Sequence, residues 1–143
     1  MRWKKIMKIS WSALFLIILL RAVVFADEGR TVMEEVHYTI SSQIDAFKKN
    51  DVKEAYTFAA PNIQAQFPNP DTFGLMVRNG YPTIWKPKSF KFVKFKDLGN
   101  KCIQRVLFQS YGGSLETYDY ILEKNNNLWK IAGVLTIKSA GET

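Results

Sequence analysis

Phe47-Lys-Lys-Asn-Asp-Val-Lys-Glu-Ala-Tyr-Thr-Phe-Ala-Ala-Pro-Asn-Ile-Gln-Ala-Gln-Phe67 is the stretch in which the chain turns back on itself. Upstream of it, Met33, Val36, His37, Ile40, Ile44 and Phe47 recur at three- and four-residue spacing, the apolar stripe of an amphipathic helix. Thr31-Val-Met-Glu34 is a capping box for its start; Lys48, Lys49 and Asn50 suit its end. Asp51-Val-Lys-Glu54 is a second capping box, so a second helix over Val52–Ala59 follows with almost no linker. Two helices joined this tightly must meet at a sharp corner.

Downstream, Pro61 opens a short turn over Asn62–Phe67, and Pro68-Asn69-Pro70 breaks it. Asn69 caps a third helix, Asp71–Arg78, which Asn79-Gly80 is expected to stop. Tyr81-Pro82 and Lys86-Pro87 keep the next segment extended and irregular. From Ser89 the period changes to two, giving strands over Phe90–Lys96, Cys102–Tyr111, Leu115–Glu123 and Leu128–Ile137. Gly112-Gly113 reads as a two-residue hairpin turn, and Asn125-Asn126-Asn127 as a loop that tolerates left-handed geometry. The aromatics of Phe90–Lys96 change parity between Phe92 and Val93, which predicts a bulge there. The fold class is α+β, with three N-terminal helices packed on a curved four-stranded antiparallel sheet. The later strands are polar on neither parity, so the outer face of the sheet is expected to be partly covered as well.

Residues 1–26 carry a basic start (Arg2, Lys4, Lys5, Lys8), an apolar run Ile9–Leu20 and the small-residue site Val24-Phe25-Ala26. This is the pattern of a cleaved export signal, and its apolar core is shorter than the roughly 20 residues a bilayer span requires. The expected mature product is a single domain over 27–143, exported to periplasm or extracellular space, with no stable membrane span. Five of the 20 basic residues leave with the signal; 15 remain against 13 acidic, so the formal +7 of the whole chain falls to +2. A nucleic-acid partner is therefore not expected. Cys102 is the only cysteine and His37 the only histidine, so internal disulfides and thiolate or imidazole zinc sites are excluded, and no cofactor is expected. Cys102 reads as a buried small apolar residue.

Ala46-Phe47, Asp51, Ala55-Tyr56-Thr57-Phe58-Ala59-Ala60-Pro61, Ile63, Phe67, Phe73, Met76-Val77, Gly80-Tyr81-Pro82 and the closing Trp129-Lys130-Ile131-Ala132-Gly133-Val134 together resemble a bacterial domain-of-unknown-function family. The order of elements resembles the nuclear transport factor 2-like, cystatin-like α+β superfamily. The resemblance implies a cone whose interior serves as a small-molecule pocket in relatives, and dimerisation through the outer face of the sheet. It carries no catalytic residues across.

On its own chemistry, His37 is the candidate general base, with Asp119 or Tyr118 as partner; the preferred reading is a histidine near the exposed first turns, satisfied by backbone or water. Tyr56, Tyr81, Tyr118 and Tyr120 are candidates to line a pocket, each with an apolar ring and a hydroxyl. Arg105 is a candidate anchor for a carboxylate, or a residue of the outer face. Lys86, Lys88, Lys91, Lys94, Lys96 and Lys101 crowd one hairpin. They read as an edge strand blunted by lysine, or as a patch for an anionic surface or lipid headgroups. The first function class is a non-catalytic exported module that binds a small apolar or amphipathic ligand or a protein partner. An acid–base isomerase or dehydratase using His37, and a structural subunit of an envelope assembly, are the alternatives.

Overall fold

A computed structural model of the chain describes residues 30–138. The expected export signal over 1–26 lies outside the described residues. Every described helix and strand belongs to one unit that begins at Val32.

Helix α1 (Val32–Lys48) starts directly after Thr31, with Glu34 and Glu35 in its first turn and Lys48 in its last, the signs its dipole favours. Val36, Ile40, Ile44 and Phe47 are buried as the stripe predicts, whereas Met33 is exposed and Thr39 and Gln43 are buried. The contact face is wider than the apolar stripe because both polar side chains find backbone acceptors. Thr39 Oγ1 donates to the Trp129 carbonyl (3.2 Å), and Gln43 Nε2 to that of Ala55 (3.2 Å).

Asn50, at φ 58°, ends the turn after α1. Asp51 then caps α2 (Val52–Thr57) by accepting the Glu54 N–H at 3.0 Å. Helix α2 stops short of the expected Ala59 because the chain is diverted to the sheet. Ala60 N–H donates to the Ile131 carbonyl and Ile131 N–H to that of Phe58, both at 2.8 Å. Helices α3 (Pro61–Gln66) and α4 (Pro70–Gly80) follow, each with proline in the first turn; Asn69 caps α4 through the Thr72 N–H. Helix α4 runs through the Asn79-Gly80 expected to stop it and ends at Tyr81. Pro82 forbids the α conformation to the residue before it, and Tyr81 sits at φ −137°, ψ 58°. The same proline nucleates a one-turn helix α5 (Pro82–Trp85), where an extended segment was expected, and buries Ile84 and Trp85.

The strands β1 (Ser89–Asp97), β2 (Lys101–Gln109), β3 (Leu115–Asn125) and β4 (Leu128–Ile137) form one antiparallel sheet in sequence order. The β3–β4 hairpin turns on Asn126 and Asn127 at φ 48° and 61°. The β2–β3 connection is not a two-residue turn. It spans 110–114, closed by the Ser110 and Ser114 backbones, and only Gly113 takes positive φ.

Two bulges shape the sheet. Val93 is the extra residue of β1: Phe92 faces Val106 and Lys94 faces Arg105. This keeps Phe90, Phe92 and Phe95 on the helix side and Lys91, Lys94 and Lys96 on the other, as the broken alternation predicts. Ala132 is the extra residue of β4, between Ile131 facing Leu122 and Gly133 facing Ile121. That shift returns Val134 to the side of Ile131. The freed Ala132 carbonyl accepts from Asn62 Nδ2 at 2.9 Å, so α3 is pinned where the sheet bends.

Candidate functional site

Between the helices and the inner face of the sheet lies a cavity of about 350 Å³, at the small end of the range usual for ligand pockets. Tyr120, Ile131 and Val134 form its floor; Phe47, Phe73, Val77 and Ile84 of the helices form its roof, and Ile63 and Phe67 one wall. Its polar groups among the described residues are Gln43, Gln66, Tyr81 and Tyr120, with no charged side chain in the lining.

Tyr120 is wholly buried at the centre of β3. Burial raises its phenol well above the ordinary value, and the nearby Tyr118 and Tyr81 hydroxyls add to that, so the hydroxyl stays protonated and is a donor. Two buried side-chain polar atoms among the described residues have no partner, Tyr120 Oη and Trp129 Nε1. Of these residues Tyr120 lines the cavity.

The other candidate tyrosines are placed differently. Tyr81 lines the cavity, and its ring meets that of Tyr118 at 5.9 Å. Tyr118 donates its hydroxyl to Glu116; burial first, and that carboxylate second, push its phenol upward. Tyr56 packs on Phe73 and donates to the Phe67 and Gln64 carbonyls, tying α2 to the end of α3. Arg105 lies on the outer face, where Nε and Nη2 donate to the two carboxylate oxygens of Asp119 at 2.7 and 2.8 Å. This pair sits directly across β2 and β3, and the hydrogen bond from Arg105 holds the Asp119 carboxyl below its usual range.

His37 is stacked flat on Phe92 at 3.8 Å, and its Nε2–H donates to Gln104 Oε1 at 2.9 Å. The buried Gln104 amide in turn donates to the carbonyls of Lys94 and Arg105. Both polar atoms of Gln104 are thus engaged, and His37 belongs to a link between α1 and the β1 bulge rather than to the cavity lining. Asp119 and Tyr118 are engaged with Arg105 and Glu116. Cys102 is fully buried, and desolvation first, then Asp97, push its thiol up to about 12. Among the described residues no group of three or more His, Cys, Asp or Glu is arranged to hold a metal ion, and no helix is long and apolar enough to cross a membrane.

The tyrosines were legible as candidates. The helix-side lining, above all Phe47, Phe73 and Val77, reads from sequence only as core, because the same periodicity serves a filled interior and a hollow one.

A family described as "Domain of unknown function (DUF4864)" matches residues 30–143. Among solved structures, the chain is similar to an NTF-2 like protein of unknown function from Shewanella oneidensis MR-1. That match has a TM-score of 0.51 at 14% identity and covers 74% of this chain and 98% of that one. It is also similar to a putative NTF2-like transpeptidase from Campylobacter jejuni, with a TM-score of 0.50 at 13% identity, covering 71% and 98%. At such identities the likeness is one of fold alone. No curated protein matches the chain.

Proposed function

The chain belongs to the DUF4864 family and has the nuclear transport factor 2-like fold, and from that premise we propose that it is a binding module whose cavity takes a small, uncharged, largely apolar molecule. The observation that carries this reading is an apolar cavity whose lining includes Tyr120, a residue whose buried hydroxyl has no partner. A buried donor left unpaired costs about 1–3 kcal/mol. A ligand carbonyl or hydroxyl oxygen would accept from it, and the absence of charge from the described lining disfavours ionised ligands. The arrangement of His37, satisfied by Gln104 and stacked on Phe92, supports a positioning role for the imidazole rather than acid–base turnover.

The protein partner of this reading is a second copy of the chain. On the outer sheet face Leu135 is 55% exposed, and Ile103, Leu107, Ile121 and Ile137 are only half-buried, an apolar zone of the kind that marks an interface. We read residues 1–26 as a cleaved export signal, so the module would act in the periplasm or outside the cell.

Native mass spectrometry of protein purified from its own host, with and without Ile63→Trp, tests the cavity. Ile63 lines one wall, and the larger ring should exclude a co-purifying molecule. Tyr120→Phe should weaken rebinding of that molecule about tenfold, the size of one lost hydrogen bond, while leaving the fold as stable or more so. A bound molecule unaffected by both substitutions would place binding elsewhere.

A further inference from the structure

Among the described residues, positive charge is concentrated on one strip. The segment from Lys86 to Arg105 holds seven basic residues and one acidic residue; the remaining described residues hold eight basic and nine acidic. The Val93 bulge decides where the lysines of this strip point. By passing one residue out of register, it places Lys91, Lys94 and Lys96 on the same outer face, opposite Leu107, Arg105 and Ile103. All three are exposed, as are Lys86 and Lys88 on the approach to β1. The ion pairs among the described residues are Lys101–Glu123 and Arg105–Asp119, so these five lysines face solvent without a carboxylate in ion-pair reach. Beside them a shallow hollow is lined by Lys94, Lys96, Ile103 and the Arg105–Asp119 pair. Two exposed apolar side chains, Val93 (57%) and Leu98 (52%), interrupt the lysines along the same strand and its turn. At the opposite edge, β4 is bridged to the Phe58–Ala60 segment at Ile131.

We infer that this β1 strip is a docking surface for an anionic lipid bilayer, laid against the headgroups through Lys91, Lys94 and Lys96 with Val93 and Leu98 at the interface. Ammonium groups are compact point charges that suit a diffuse field of phosphates better than a single shaped anion. The aromatics of β1 are turned to the helices and packed against the core, which removes the stacking platform that a single-stranded nucleic acid would use. The strip is distinct from the cavity. It lies at the margin of the apolar zone on β2–β4, so a dimer formed there would keep the lysines at its rim.

Flotation of the mature product over 27–143 with phosphatidylcholine vesicles, with or without phosphatidylglycerol, tests this inference. The triple variant Lys91→Gln, Lys94→Gln, Lys96→Gln should bind the anionic vesicles about a hundredfold more weakly than the parent, at about fivefold per lysine. Raised salt should erase the difference, because the charges are exposed. The corresponding Lys→Arg triple should retain binding and controls for folding. The triple Lys48→Gln, Lys49→Gln, Lys53→Gln, which removes as much charge from the α1–α2 corner, should bind like the parent. Equal binding by parent and β1 triple, equal loss in the corner triple, or a loss seen with a single-stranded oligonucleotide but not with vesicles would each overturn the inference.

Discussion

Asp119 carries a pH signature on the acid side. Its carboxylate accepts two hydrogen bonds from Arg105, and its folded pKa lies below the unfolded value. The contribution to stability is therefore fully present above the ordinary aspartate value of about 3.9 and is lost as pH falls below it through the folded value. Asp119→Asn should leave a denaturation midpoint that changes less than the parent's between neutral pH and the acid limb. Parallel acid titrations of the two proteins by circular dichroism check this, and identical acid limbs would contradict it. Cys102, fully buried and with its thiol pushed up to about 12, is no competing source of pH dependence near neutrality.

At the scale of elements, α2 and α4 pack through Gly74. A Cβ built on Gly74 would stand 2.5 Å from Val52 Cγ1, far inside van der Waals contact, so the glycine is required for close approach of the helices. Gly74→Ala should destabilise the protein by about 1–3 kcal/mol, the usual cost of overpacking, despite alanine's better helix propensity. Val52→Ala removes the clashing methyls, and in the double variant it should recover part of the loss; urea unfolding of all four proteins measures the coupling. The short α3 and the Phe58–Ala60 segment act together in a similar way. One pairs with Ile131 and the other bonds the carbonyl freed by the Ala132 bulge, so the bend in β4 and the wall of the cavity are held by the same contacts.

For the molecule as a whole, the two faces of the sheet have different occupations. The inner face carries the helices and the cavity, and the outer face carries an apolar zone across β2–β4 beside a row of lysines on β1. The chain should sediment as a dimer at concentrations of tens of micromolar, roughly the weak-interface regime. Leu135→Glu, which sets a second carboxylate beside Asp119, the cross-strand neighbour of Leu135, should give a monomer with unchanged helix and strand content. Sedimentation velocity of the two proteins decides it: a parent that is already monomeric would remove the interface.

Periodicity, capping and turn chemistry are local, and for that reason the sequence by itself determined the helix-then-meander order, the Asp51 and Asn69 caps, the asparagine turn of β3–β4 and the bulge at Val93. Each is a competition among backbone conformations of neighbouring residues, which their own side chains settle. The early end of α2 and the second bulge at Ala132 were settled by partners distant in sequence, whereas the run of α4 to Tyr81 and the α5 turn follow from Pro82, a local signal that reads equally as extended backbone. The Ile131 ladder to Phe58 and Ala60 spans some 70 residues that no local pattern connects. The candidate site divides along the same line. Tyr81 and Tyr120 were recognisable as aromatic and polar at once, but only tertiary packing sent Tyr118 to Glu116, Tyr56 to the Phe67 carbonyl, His37 to Gln104 and Arg105 to Asp119. A hollow depends on how far apart packed surfaces are held, and that distance is a property of the assembled layers rather than of any one segment.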